Sequence, residues 1–172
     1  MSHDLDVDER VLALRRAFDQ SFARGLDDHS EEQRDFLSFC FERQLFALPI
    51  SELSAVEKRR KLVRLPAAPQ ACRGLAGVRG KLVAVYDLAA LLGFLPSAEL
   101  RWLVVPRGTQ GVAFGVTSVE RYLRAPARAV LPRALTAGDA CVATLVHDSS
   151  TLSVLGTDRL VSALTPRAEE PR

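Results

Sequence analysis

The sequence predicts an all-β protein built from small barrels or a sandwich. Many short strand-like runs are separated by Gly and Pro, which is typical of these architectures. A segment of the first half also recurs in the second, since KLVAVYDLAALL at 81–92 resembles STLSVLGTDRLV at 150–161. With 172 residues, 48% of them hydrophobic, the chain can form one domain or two small barrels that share a core.

The N-terminal region has a different, helical pattern over residues 6–24. Asp6 and Glu9 resemble a capping box, and Gly25 suits the position after a helix end. The apolar residues follow the spacing i, i+3, i+7, i+11 of one helical face. These residues are Val11, Leu14, Phe18 and Phe22. A lone helix of this length is only marginally stable, so this face must dock on another surface. We expect it to contact a protein partner or a second copy of the chain, and the alternative is that it covers its own barrel.

Alternation replaces the helical period from residue 36 onward. A hairpin is predicted over 36–48, with its turn at Glu42-Arg43, and a short helical turn over Ser51–Glu57. A strand at 81–86 leads into a short helix at 87–92. Further strands are predicted at 101–105, 111–116, 121–124, 141–147 and 151–155, and a last helix at 157–164. The expected organisation is a helix and polar linker (1–34), a β domain (35–165) and a frayed tail (166–172).

The internal sequence repeat extends beyond this one segment. The run at 81–92 is matched with Leu82 opposite Leu152, and the predicted hairpin at 36–48 has a counterpart at 102–116. The period is longer than that of a solenoid repeat. It therefore favours two similar barrels in one chain.

Bulk composition narrows the class of protein. The formal net charge is +2 and aromatic residues make up 6%, so neither a strong field nor many stacking platforms favour nucleic acid. The acidic N-terminus lacks an apolar signal region, and no apolar run reaches the roughly 20 residues that span a bilayer. Three cysteines at no metal-ligand spacing indicate reduced thiols. We therefore expect a cytoplasmic protein without direct membrane contact.

Catalytic chemistry has one weak candidate. The run His147-Asp148-Ser149-Ser150 contains the residue types of a hydrolase triad. Adjacent turn residues do not set a triad geometry, which depends on spatial placement, so a polar hairpin turn is the better interpretation. No phosphate-binding loop or metal-ligand cluster is present in the sequence. We predict no catalytic, cofactor or metal site, and a small hydrolase is only an alternative.

One motif points to a known family. The run GLAGVRGKLVAVYDLAALLG at 74–93 resembles the segment of CheW-like chemotaxis coupling proteins in which Asn-Leu-Arg-Gly is followed by a strand, Asp-Leu and Leu-Leu-Gly. GVAFGVTSVERYLR at 111–124 resembles the second hairpin of that family, and TLSVLGTDRLV its closing strand and helix. The resemblance covers about residues 35–164.

The resemblance implies both a fold and a role. The expected fold is two intertwined five-stranded SH3-like β-barrels with short helices and a groove between them. The expected role is an adaptor, or scaffold, that couples the cytoplasmic tip of a chemoreceptor to the regulatory domain of a CheA-type histidine kinase. Such a protein can be recruited to receptor arrays.

Four positions depart from the family pattern. Gly77 replaces the Asn, Ala84 a strand Pro, and Gly156 the Asp of the closing strand. Ala55 stands where many members have a Glu that pairs with the motif Arg. Glu57 lies two residues later, on the same face of an extended chain, and is predicted to pair with Arg79 instead.

The expected partner-binding residues surround this motif. They are Arg79, Gly80, Leu53, Val56, Glu57 and Gly74. Arg79 offers a planar fork of donors, and Gly80 permits a tight strand entry. The alternative is a divergent barrel protein that has lost kinase coupling and binds another partner through its N-terminal helix.

Overall fold

The computed structural model describes residues 31–59, 61–66, 68–136 and 138–164. The predicted N-terminal helix with its apolar face, and the predicted C-terminal tail, lie outside these residues. Within them, no helix has the length and apolar character needed to cross a membrane.

The described chain consists mainly of strands. They are β1 (Gln33–Phe41), β2 (Gln44–Pro49), β3 (Leu53–Lys58), β4 (Cys72–Val78), β5 (Lys81–Asp87), β6 (Trp102–Pro106), β7 (Val112–Val116), β8 (Arg121–Pro126), β9 (Val130–Pro132), β10 (Cys141–His147) and β11 (Ser150–Leu155). Two short α-helices follow β5 and β11, namely α1 (Leu88–Leu91) and α2 (Thr157–Ser162). Single 3₁₀ turns, Ile50–Glu52 and Ala127–Ala129, precede β3 and β9.

The strands form two mixed sheets that exchange parts. The first sheet has the order β8-β1-β2-β11-β10-β9, and the second has the order β3-β6-β7-β5-β4. The N-terminal half, β1 to α1, gives the hairpin β1–β2 to the first sheet and β3, β4 and β5 to the second. The C-terminal half, β6 to α2, gives β6–β7 to the second sheet and the other strands to the first. The predicted all-β, intertwined fold is therefore confirmed.

The first sheet contains one strand more than the five expected, and the repeat explains it. In β9, Leu131 pairs with Thr144 of β10. In the second sheet, Val63 pairs with Leu75 of β4 as an isolated bridge. Thr144 and Leu75 occupy equivalent positions in the two halves. The pairing of β9 with β10 therefore corresponds to the Val63–Leu75 bridge of the second sheet and extends over more residues.

Each barrel has its own apolar interior, and a third cluster joins them. Phe36, Leu145 and Leu152 belong to the interior of the first barrel, while Val83, Val85 and Leu103 belong to that of the second. The joining cluster combines both sheets with the two α-helices. Its buried side chains include Phe39, Phe46, Leu48, Leu88, Val104, Phe114, Leu155 and Leu160. The burial of these apolar side chains is the main free-energy contribution that holds the two barrels together.

Two local predictions are wrong. The expected helical turn over Ser51–Glu57 ends at Glu52, and β3 follows, because its alternating residues pair with β6 and bury Leu53 and Ala55. The predicted alignment of the two repeated segments, with Leu82 opposite Leu152, is also wrong by one residue. Asp87 and Gly156, the N-caps of α1 and α2, set the equivalence, which places Leu152 opposite Val83 and not opposite Leu82. A one-residue slip exchanges the buried and exposed faces of a strand.

Candidate docking surface

The turn between β4 and β5 presents the motif arginine. Val78 pairs with Lys81, so the hairpin loop is only two residues long. Both loop residues have positive φ, 48° at Arg79 and 76° at Gly80. Two-residue hairpin loops of this kind match the right-handed twist of the strands, and they favour Gly where φ is positive.

Arg79 connects this turn to strand β3. Its Nε donates to Glu57 Oε1 at 2.9 Å, and its Nη1 donates to the backbone oxygen of Ser54 at 3.2 Å. The predicted Arg79–Glu57 pair is confirmed, with Glu57 in place of the carboxylate absent at Ala55. The Arg79 side chain is 66% exposed. An ion pair this exposed contributes little to stability, so its main effect is to fix the direction of the guanidinium.

An open depression lies beside Arg79 on the second barrel. It is lined by Glu57, Lys61, Gly77, Arg79 and Gly80. Two predicted contact residues, Arg79 and Gly80, therefore meet a third, Glu57, at one place. Val56 is exposed on the same strand, β3.

Two of the predicted contact residues lie in the interior. Leu53 is 5% exposed and packs in the cluster that joins the barrels. Gly74 is buried, and a Cβ there would lie 2.2 Å from the backbone oxygen of Val63. It allows the bridge between Val63 and Leu75. Both residues therefore stabilise the fold and are not part of the candidate docking surface.

Helix α1 has a cap made of a buried carboxylate. Asp87 is fully buried and accepts from the backbone N–H groups of Ala89 and Ala90. Its carboxylate also accepts from Ser97, through both N–H and hydroxyl, and from Arg73 Nη1 at 2.8 Å. Asp directly before a short helix is an N-cap signal that the sequence displays.

Helix α2 receives its cap from the other half of the chain. Gly156 has no side chain to offer, and Glu52 Oε2 accepts from both the N–H and the hydroxyl of Thr157 at 2.9 Å. Sequence analysis missed this contact, because the two residues are 105 positions apart and no local pattern links them.

The residues of the hydrolase alternative line one small cavity, with Ser38 beside His147, Asp148 and Ser150, but without the hydrogen bonds of a triad. His147 ends β10, and its Nδ1 lies 3.3 Å from Asp148 Oδ2 in the hairpin turn. Among the described residues, no hydroxyl or thiol donates to this imidazole, as a triad nucleophile would. The described part of the chain also contains no cluster of three or more His, Cys, Asp or Glu that could hold a metal ion.

A second exposed ion pair lies on the first barrel. Arg124 donates through Nε to Asp35 Oδ1 at 2.8 Å, and the Tyr122 hydroxyl donates to the same oxygen at 2.6 Å. These hydrogen bonds, that from Arg124 foremost, lower the pKa of Asp35. The same contacts raise the pKa of Tyr122 and of Arg124. This pair resembles Arg79–Glu57 in length and exposure but stands on another barrel.

The described chain thus combines two intertwined barrels with an exposed arginine that is held by two hydrogen bonds. Comparison with known proteins identifies its family. The family model of the CheW-like domain matches residues 35–165, and the chain belongs to that family. Its members act as adaptors or scaffolds in chemotaxis signalling, and this is the class of the chain.

Solved structures give the same fold. The scaffolding protein TtCheW from Thermoanaerobacter tengcongensis matches with a TM-score of 0.63 and 19% identity, over 73% of this chain and 90% of that one. The two sheets correspond to the two SH3-like barrels of that fold. No curated protein sequence matches the chain.

Proposed function

We propose that this protein couples the cytoplasmic tip of a chemoreceptor to the regulatory domain of a CheA-type histidine kinase, in the cytoplasm. The surface around Arg79, with Glu57, Gly80 and Val56, contacts one of these partners. The observation that carries the proposal is the Arg79 side chain, which is exposed and yet held by two hydrogen bonds. A guanidinium that is already oriented loses less conformational entropy when a partner binds.

Two departures from the family pattern are offset within this chain, which favours a working adaptor over one that has lost kinase coupling. Glu57 supplies the carboxylate missing at Ala55, and Glu52 supplies the cap missing at Gly156. At a third departure, Ala84 donates its backbone N–H to Gly111 at 2.7 Å, which a Pro could not do. The alternative role depends on the N-terminal helix, which lies outside the described residues.

Calorimetric titration of the full chain with each partner fragment from the same organism tests the proposal. The fragments are the kinase regulatory domain and a receptor cytoplasmic tip. We expect Arg79→Glu to weaken binding of one fragment about ten-fold or more, as arginines central to interfaces do. The melting temperature should fall by no more than about 3 °C, because the pair is exposed.

Arg124→Glu is the matched control. It reverses the same charge and breaks an ion pair of similar length and exposure, on the first barrel. Binding should stay within about two-fold of the wild type, since a peripheral charge contributes little to affinity. If neither fragment binds the wild-type chain, or if both variants weaken binding equally, the proposal is wrong.

A further inference from the structure

Gly77 leaves a notch in the wall of the second barrel. A Cβ at this position would meet no atom within 4 Å. Its cross-strand partner on β5, Leu82, is 67% exposed beside it. In the other half the equivalent pair is Val146 opposite Thr151, so a valine side chain stands where the second barrel has open space. The notch is therefore particular to the barrel that carries Arg79.

Unused hydrogen-bond donors surround this notch. A guanidinium has five N–H donors, and Arg79 uses one on Glu57 and one on Ser54. Three donors are left without a partner among the described residues. Lys61 lines the same depression, and its ammonium makes no ion pair within the described part of the chain. Glu57, the one acid among the lining residues, is already held by Arg79.

We infer that the notch binds the carboxylate side chain of an aspartate or glutamate presented by a protein partner. The incoming carboxylate accepts from the free edge of the Arg79 guanidinium and from Lys61, while the stem of the acidic residue lies over Gly77 against Leu82. Carboxylates and guanidinium groups form paired, charge-assisted hydrogen bonds that other side chains do not match. The inference rests on the proposed function, because it names the partner chemistry at the same surface.

An NMR titration of the full ¹⁵N-labelled chain tests the inference with a defined probe. The probe is acetyl-tetraglutamate amide, and the matched control peptide carries glutamine throughout. We expect weak binding, with shifts at the amides of Gly77 and Gly80 and at the Arg79 Nε–H, and no such shifts with the glutamine peptide. Absence of these shifts, or equal shifts with both peptides, would overturn the inference; equal shifts would indicate apolar contact with Leu82 instead.

Two substitutions distinguish binding at the notch from general electrostatic attraction of the peptide to the protein. Lys61→Met should weaken binding of the peptide about five-fold, which corresponds to the upper range for the contribution of an exposed ion pair. Arg101→Met removes the same charge from an exposed residue that does not line the depression, and it should leave the affinity unchanged. Equal weakening by both variants would show that only net charge matters, and the carboxylate site would be refuted.

Gly77→Asn fills the notch without straining the backbone, since the position has no positive φ and open space around it. The peptide shifts should disappear while the melting temperature stays the same. Wild-type affinity in this variant contradicts the inference.

The same variants, titrated with the kinase and receptor fragments, distinguish the two claims. If neither fragment binds the wild type but the peptide binds at Gly77, the proposed function fails and the carboxylate site stands. If a fragment binds and neither Lys61→Met nor Gly77→Asn alters its affinity, the proposed function stands and this inference fails.

Discussion

The two halves of the chain repeat one plan but stabilise their helices differently. In the N-terminal half, Asp87 caps α1 from within its own segment and also holds Arg73 and Ser97. In the C-terminal half, the equivalent position is Gly156, and the cap of α2 comes from Glu52 in the other half. The first helix is thus secured locally, whereas the second depends on the correct docking of the two halves.

The equivalent hairpin turns differ in the same way. The turns at Arg79-Gly80 and Asp148-Ser149 share positive φ values, so the backbone plan is conserved. Only the first turn has a long cation that reaches a neighbouring strand, at Glu57. The two halves therefore share the same barrel and turn backbone, and they differ in their helix caps and in the side chains of the turns. We propose docking for the first turn and not for the second.

The largest effect is expected at the local cap. Asp87→Ala leaves Arg73 with only the backbone oxygen of Ser97 to accept from it, and it leaves three backbone N–H groups without their acceptor. Breaking a buried charge network from one side costs about 3–5 kcal/mol. For a chain of this length, that corresponds to a fall in melting temperature of roughly 6–20 °C. Thermal unfolding followed by circular dichroism measures it.

Ser97→Ala is the control within the same network. It removes a hydroxyl that donates to Asp87 at 3.0 Å but keeps the backbone N–H that also donates there. The expected loss is that of one hydrogen bond, about 1 kcal/mol. If Asp87→Ala costs no more than Ser97→Ala, the buried carboxylate does not organise this cap.

A smaller effect is expected at the cap that crosses between the halves. Glu52→Ala removes the acceptor for the Thr157 N–H and hydroxyl, and should cost about 1–2 kcal/mol, as loss of an N-cap does. Gly156→Asp should also destabilise the wild type, because a second carboxylate approaches Glu52 and the new Cβ lies 2.8 Å from Val142 Cγ1.

Combined, these two substitutions should partly cancel. The aspartate then caps α2 from its own half, as Asp87 caps α1. Denaturant unfolding of the four proteins gives the coupling free energy, which we expect to be favourable by about 1 kcal/mol or more. Additive losses would show that Glu52 is not the cap of α2.

The sequence predicted the features that depend on local pattern or short spacing. The hairpin at Phe41–Gln44, strand β5 with the short helix that follows it, and the Arg79–Glu57 pair follow from alternation and motif. Strand β3 was mistaken for a helical turn, because its six residues gain strand character from pairing with β6, which propensity does not encode.

Contacts between distant parts of the chain were out of reach of sequence reasoning. The Glu52–Thr157 contact joins residues that no periodicity relates. The expectation that Leu53 contacts a partner comes from the family resemblance, which places it on a turn. In β3 the alternation of the strand turns its side chain to the buried face. Gly74 belongs to the motif and is therefore predicted to contact a partner, whereas the close approach of the Val63 backbone is what requires a glycine there.

The smallest effect on stability is expected at the exposed pair of the first barrel, and it depends on pH. The pKa of Asp35 is lowered in the folded state, foremost by the hydrogen bond from Arg124. A depressed carboxyl pKa stabilises the fold above the unfolded pKa of about 3.9, and this contribution is lost as the pH falls through the folded value. Asp35→Asn should therefore be slightly less stable than the wild type at pH 7, and the difference should shrink as the pH falls below about 3.9. A difference that persists unchanged at acid pH contradicts this account.

The charge-swapped double variant Arg79→Glu/Glu57→Arg tests the central claim most directly. It keeps an ion pair between the turn and β3 but removes the arginine from the turn. Because we propose that Arg79 docks a partner, calorimetry should find the melting temperature near that of the wild type and the binding of the partner fragment still lost. If the swap restores wild-type binding, Arg79 acts only through its pair with Glu57, and the docking role is refuted.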